Sequence, residues 1–265
     1  MKELIVRGIS GILYISIIII AMFASREWFV ALLFVLGLIT INEFQKLVDL
    51  RSFVSFLIFP LLLFFLGYKV IEINVVYLYA LVAIFVNLFL LRDLLVVHKI
   101  PMFQNKKYIS LICYLMSGFV FLALIPNREN GTQIVIGLFI LIWANDSFAY
   151  IIGKNFGKRK LLERISPKKT IVGFFGGLAG ALLAGFLIFR YTQSLTLGLW
   201  ICLSLIVAIL GTFGDLIESK FKRQAGVKDS GRLMPGHGGI YDRLDSILYT
   251  SPFVFAVLEF VAHVS

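Results

Sequence analysis

The chain reads as an all-α, polytopic integral membrane protein with about nine transmembrane helices and a cytoplasmic N-terminus. Hydrophobic residues fill 60% of its 265 positions and charged residues only 15%, where soluble domains carry about 25% charged residues. Mean hydropathy is +0.95, so there are too few polar groups to cover a water-facing surface. Apolar runs of about 20 residues, the length that crosses a bilayer, recur along the whole chain.

The first run, 8–24, follows a short basic start and looks like a secretory leader. It lacks an Ala-x-Ala cleavage site and the rest of the chain is equally apolar, so it is read as a retained first helix. Runs at 28–45, 52–68, 75–95 and 108–126 supply the next four. The sixth, 132–152, carries Asp146 well inside it, flanked by Asn145 and Ser147. A carboxylate at membrane depth is costly and rarely faces lipid, so these residues predict a polar cavity. The seventh, 171–190, has Gly173, Gly176, Gly177 and Gly180 at three- and four-residue spacing, the pattern of close helix packing. Runs at 196–213 and 246–262 complete the set. Some runs are short or carry a polar residue, and eight or ten helices fit the same pattern.

Charge supports nine. With the N-terminus inside, 21 of the 25 Lys/Arg fall in the inside segments 1–7, 46–51, 92–107, 153–170 and 214–245. Four fall outside: Arg26, Lys69, Arg128 and Arg190. Cytoplasmic loops carry such an excess of basic residues. The same bias accounts for the net charge of +10 without a nucleic-acid partner, and suits anionic lipid headgroups and an anionic substrate. Cys113 and Cys202 each sit in an apolar run and read as small buried hydrophobes, so there is no disulfide framework and no cysteine metal site. His98 and His263 lie at segment ends and carry no evident chemistry. No linker or fixed-period repeat divides the chain.

Two polar clusters interrupt this pattern. One runs from Asp146 through Ser166-Pro-Lys-Lys-Thr170. Hydroxyls, backbone donors and lysines before a helix favour an anion, although the spacing is not that of a Walker A loop. The other spans 214–245. On a helix Asp215, Glu218, Ser219 and Lys222 share one face. Oxygen ligands of this kind suit Mg²⁺, which fills the rest of its shell with water and phosphate. Lys222, Arg223 and Lys228 can neutralise phosphate oxygens, and Pro235-Gly-His-Gly-Gly239 is a turn that lets backbone donors approach a ligand. Asp242 and Asp245 follow, one turn apart if helical. An acidic-basic interfacial loop alone is usually just solvated. Two groups of carboxylates bracketing a basic, Gly-rich segment are more specific.

The run Ser219-x-x-Lys222-Arg223, then Lys228-Asp229, then Gly238-Gly239-x-x-Asp242-Arg243-x-Asp245 resembles the C-terminal motif of the phosphatidate cytidylyltransferase (CDP-diacylglycerol synthase) family. Asp146, Ser166-Pro-Lys-x-Thr170 and Gly214-Asp215 are similar to its weaker motifs, and the resemblance covers about 140–250. It implies transfer of the cytidylyl group of CTP to phosphatidate, giving CDP-diacylglycerol and pyrophosphate for phospholipid biosynthesis. It also implies Mg²⁺, with a monovalent ion such as K⁺ as a second, and a bacterial-type inner membrane with the site facing the cytoplasm. It admits a homodimer. Residues 1–130 would then be N-terminal membrane helices and 131–265 the catalytic region of one continuous membrane domain.

In such proteins the carboxylates matching Asp215 and Asp242 hold the metals, and Asp245 and Asp146 are expected to assist. Lys222, Arg223, Lys228 and Arg243 are expected to bind triphosphate and lipid phosphate, with Asp229 beside them. Ser166, Lys168, Thr170, Ser219, His237, Gly238 and Gly239 are expected to line the substrates. The phosphate of phosphatidate is its own nucleophile, so no Ser or Cys nucleophile is needed. Two rival readings are a CTP-dependent lipid kinase acting on a polyprenol-type alcohol and a membrane transporter. A CDP-alcohol phosphatidyltransferase is disfavoured, because its Asp-x-x-Asp-Gly-x-x-Ala-Arg run is absent.

Overall fold

The computed structural model describes residues 2–234 and 238–264, and the side chains of residues 2–10 and 12 fall outside that description. The described residues form ten α-helices and one small hairpin. Helix α1 spans Lys2–Ala24 and α2 spans Arg26–Leu47. Helix α3, Val54–Leu62, passes into a π-helical turn over Leu63–Tyr68. Helix α4 covers Ile73–Val96. Helices α5, Gln104–Ser110, and α6, Ser117–Leu124, join through a π-helical turn over Leu111–Met116 into one rod. Helix α7 spans Gly131–Phe156, α8 Ile171–Thr192, α9 Leu197–Gln224 and α10 Tyr241–Val264.

Apolar helical segments thus lie at all nine expected places. Seven are long and apolar enough to cross a membrane, and Leu13–Ala24 and Val54–Tyr68 are shorter apolar helices. The protein is an all-α polytopic membrane protein. Its starts have local causes. The hydroxyls of Ser25, Thr170 and Thr196 accept from the backbone N–H of Trp28, Gly173 and Leu199 at 3.3, 3.1 and 3.3 Å. Each takes up one of the donors that a helix leaves unpaired in its first turn.

The boundaries near the polar clusters differ from the expected ones. Helix α9 runs on past residue 213 to Gln224, and α10 begins at Tyr241 rather than 246. Apolarity ends where polar side chains begin, but intrahelical hydrogen bonds satisfy the backbone equally well beyond that point. At 1.5 Å per residue, the 28 residues of α9 make about 42 Å, more than the roughly 30 Å of a hydrocarbon core. The segment 160–170 is a hairpin rather than an open loop. Strand β1, Lys160–Leu162, pairs antiparallel with β2, Ser166–Thr170, with Lys160 opposite Thr170.

The core continues across the chain. Phe44 of α2 makes edge contacts with Tyr114, with Phe221 of α9 and with Tyr241 of α10, at centroid distances of 6.3, 5.5 and 6.0 Å. Helices α7 and α8 pack along the glycine stripe. A Cβ at Gly176 would lie 2.7 Å from the Ile152 side chain, and one at Gly177 2.6 Å from Asn145 Oδ1. The stripe is therefore a close-packing device, as its spacing predicts. This brings β2 and the α8 start against α7 and the polar end of α9.

Candidate active site

The site is assembled from the last three turns of α9, the first turns of α10, strand β2 and the polar half of α7. Asp215 and Glu218 on α9 and Asp245 on α10 each place a carboxylate oxygen within 4.8 Å of the others. Glu218 and Asp245 are buried and Asp215 is half-buried. Helical spacing brings the first two to one face, and the α9–α10 packing adds the third. Gly214 permits that packing, since a Cβ there would come within 2.7 Å of Tyr249 Cβ and 3.0 Å of the Asp245 carbonyl oxygen.

Two lysines neutralise the acids. Lys222 Nζ lies 2.6 Å from Glu218 Oε2 and 2.5 Å from Asp242 Oδ1. Lys169 of β2 forms an ion pair with Asp215 Oδ2, whose other oxygen accepts from Ser219 Oγ at 3.2 Å. Burial alone would lower the Lys169 ammonium; the adjoining Asp215 carboxylate outweighs it and holds the group above the usual lysine value. Glu218 is fully buried, and neither of its oxygens accepts a hydrogen bond among the described residues. Among them its ion-pair partner is the Lys222 ammonium, close but not aligned for a hydrogen bond. Such a carboxylate is expensive unless a cation completes its surroundings.

Asp242 sits differently from Asp215. Its Oδ2 accepts from Ser230 N at 2.9 Å, Ser230 Oγ at 3.0 Å and Gly239 N at 2.7 Å, while Oδ1 takes Lys222. It therefore ties the polar loop to α10 and lies outside the three-carboxylate group. Gly238 serves the same turn. Its φ is +89°, and a Cβ there would fall 2.5 Å from Asp242 Oδ2. The Gly239 N–H, expected to face a ligand, is spent on Asp242.

Beside the acids, a cavity of about 600 Å³ is lined by Asp146, Asn145, Lys154, Lys160, Lys168, Lys169, Thr170 and Asp215. Asp146 and residues 167–170 thus share this cavity with Asp215 of α9. Lys168 and Lys169 both line the cavity, and Lys169 also reaches the acid. Thr170 caps α8, and Ser166 is half-buried in β2 opposite Leu162. Arg223 donates to the carbonyls of Ile165 and Val227 at 3.4 and 3.2 Å, which fastens the hairpin and loop to α9. Lys228, Asp229 and Arg243 are exposed. His237 lies outside the described residues. A second cavity, of about 430 Å³ between Phe34, Pro60 and Tyr68, is apolar and remote from these groups.

Sequence reasoning left three residues without a role. Glu218 shares the face whose oxygens suit Mg²⁺, but the expected metal residues are Asp215, Asp242, Asp245 and Asp146, without it. Lys169 adjoins Lys168, and only the fold shows that Lys169 is the one paired with Asp215. Glu43, an acid near the end of an apolar helix, is a signal of the kind that Asp146 gives.

Fold and cluster together define a polytopic helical membrane protein with a carboxylate–lysine site at the polar ends of its last two helices. The chain belongs to the cytidylyltransferase family, whose model matches residues 5–261. It is similar to a phosphatidate cytidylyltransferase of Staphylococcus aureus (strain COL), at 43% identity over 149 residues, 56% of each chain. Proteins of the same name from Staphylococcus haemolyticus and Staphylococcus epidermidis are 41% and 40% identical over 149 residues, again 56% of each chain. The match therefore spans about half the length of these curated relatives.

Proposed function

We propose that this protein transfers the cytidylyl group of CTP to phosphatidate, releasing pyrophosphate, at a site that faces the cytoplasm of a bacterial inner membrane. The observation that carries the reading is the meeting of Asp215, Glu218 and Asp245 with a lysine-lined cavity at the ends of membrane helices. The family match and the relatives' names support it. A phosphate oxygen of phosphatidate forms the new bond to the α-phosphorus of CTP, and the bond to the leaving pyrophosphate breaks. Both reactants are polyanions, so catalysis is a matter of alignment and charge.

The all-oxygen donor set and the unbonded, buried Glu218 oxygens fit a divalent cation such as Mg²⁺. Asp215, Glu218 and Asp245 would hold it, with Asp242 and Asp146 as neighbours. When bound, such an ion neutralises phosphate charge. Lys222 and Lys169 hold the carboxylates in place and present positive charge to incoming phosphates. Lys154, Lys160 and Lys168 make the cavity attractive to an anionic headgroup or triphosphate. Ala149, Leu161 and Phe174, which also line the cavity, offer apolar surface to a lipid substrate.

The test is direct. Purified protein given phosphatidate, radiolabelled CTP and Mg²⁺ is expected to make CDP-diacylglycerol and pyrophosphate, and to stop when the metal is chelated. A phosphorylated lipid with CDP as co-product would instead mean a kinase. Nucleotide-independent flux of a solute into vesicles, with no CDP-lipid, would mean a transporter.

A further inference from the structure

We propose that Glu43, on α2, is a positioning residue for this site: its buried carboxylate sets the first turn of α10 and so fixes Asp242 and Asp245. Glu43 is only 5% exposed. Its Oε2 accepts from Tyr241 N at 2.8 Å and Ser230 Oγ at 3.0 Å, and its Oε1 from Ile240 N at 3.2 Å. These donors come from within the polar loop that separates α9 from α10 and from its junction with α10. The first N–H groups of a helix have no partner within it, and a negative charge there also matches the helix dipole. Ile240 and Gly239, which precede α10, carry no side chain able to cap it. A helix nearly two hundred residues earlier in the chain supplies the cap instead.

The fit is close on both sides. A Cβ on Gly231 or on Gly239 would run into the Glu43 carboxylate. Ser230 Oγ lies 3.0 Å from Glu43 Oε2 and 3.0 Å from Asp242 Oδ2, so the two acids share its single proton. Glu43 is not among the residues that line the 600 Å³ cavity, nor in the three-carboxylate group. It acts through the backbone of α10, which carries Asp242 to Lys222 and Asp245 to Asp215 and Glu218.

Gln45, two residues on, separates this role from simple packing. It is buried to the same degree, at 6% exposure, and clamps Ser52 by bonds of 3.1 and 3.0 Å. It anchors the α2–α3 connection and, among the described residues, makes no side-chain hydrogen bond to α10. Glu43→Ala, Glu43→Gln and Gln45→Ala should be compared with the starting protein, full length and purified in detergent. The readouts are Mn²⁺ binding by electron paramagnetic resonance without substrates, and kcat and the Mg²⁺ concentration for half-maximal rate per folded molecule. The rate assays rest on the proposed cytidylyl transfer, whereas the Mn²⁺ titration does not. A protein that binds Mn²⁺ but makes no CDP-lipid would sink that function and leave Glu43 decidable.

The expected result is a loss of about tenfold or more in Mn²⁺ affinity and in kcat for Glu43→Ala, the scale seen when a ligand's outer support is removed. Glu43→Gln keeps one acceptor and should lose less, and Gln45→Ala should lower thermal stability alone. Mn²⁺ affinity and per-molecule kcat unchanged in Glu43→Ala would overturn the proposal, as would an equal loss in Gln45→Ala. If Glu43→Ala does not fold, Glu43→Gln decides, and full Mn²⁺ affinity there overturns it as well.

Discussion

Asp215 and Asp242 each have a second acid three residues on but different surroundings. Asp215 faces a cavity and two other carboxylates, whereas Asp242 is saturated by Lys222, Ser230 and Gly239. Replacing Asp215 with Asn removes a charge from the group that would hold a cation. CTP- and Mg²⁺-dependent turnover is expected to vanish while the protein still inserts, as judged by membrane fractionation and product chromatography. Asp242→Asn leaves Lys222 and the loop donors partly unpaired, so both turnover and thermal stability should fall. The lysine pair makes a sharper contrast. Lys169 touches Asp215 and Lys168 lines the cavity without an ion pair among the described residues. Lys169→Ala should cut kcat/KM by more than about tenfold, the scale of one charge-assisted hydrogen bond. Lys168→Ala should weaken KM for the anionic substrates and leave kcat nearly intact. Steady-state kinetics with each substrate varied would separate the two, and equal effects would refute the assignment of Lys169 to the acids.

At the scale of elements, the site depends on how close α8 lies to α7. Gly177→Val would push a side chain into Asn145, and overpacking of this kind costs about 1–3 kcal/mol. The expected outcome is a lower melting temperature together with lost turnover, since the same shift moves β2 and Lys169 away from Asp215. Thr170→Ala removes the α8 cap and should cost about 1 kcal/mol, with a smaller fall in rate. The helices themselves were legible in the sequence, because hydropathy over 20 residues reports directly on a bilayer-crossing segment. Their polar ends were not. Nothing in the hydropathy of 214–245 says that helix continues to Gln224 and resumes at Tyr241, because backbone hydrogen bonding is indifferent to side-chain polarity at an interface. The hairpin at 160–170 was missed for a related reason. Five residues of Ser-Pro-Lys-Lys-Thr show no alternation of apolar and polar groups from which to read a strand. Of the site, the acids on α9 and α10 could be read from helical spacing. Glu43 could not be joined to them, since the link is a contact across the whole chain.

For the molecule as a whole, charge and chemistry point to the same end. With nine crossings and the N-terminus inside, as the sequence predicts, the loops on one side would hold 21 of the 25 Lys/Arg, and they would include both segments that build the site. At the opposite end Arg128 is tied to Glu259 and to the Leu258 carbonyl, and Tyr77 OH donates to Glu259 at 3.0 Å. A basic face suits a nucleotide only if it meets the compartment that contains one, so orientation is a functional claim. Helix α8 offers a clean test, because exposed Lys158 lies before it and exposed Arg190 lies in its last turn. Its 22 residues span about 33 Å at 1.5 Å each, enough to cross the core of a bilayer. Cys113 and Cys202 are first replaced by Ala, and a single cysteine is introduced as Lys158→Cys or Arg190→Cys. A membrane-impermeant maleimide added to intact cells should label Arg190→Cys and spare Lys158→Cys. Inside-out vesicles should give the reverse. Labelling of both from one side would show that α8 does not cross. The opposite pattern would put the lysine-lined cavity outside the cell, where CTP is absent, and the proposed reaction would fail with it.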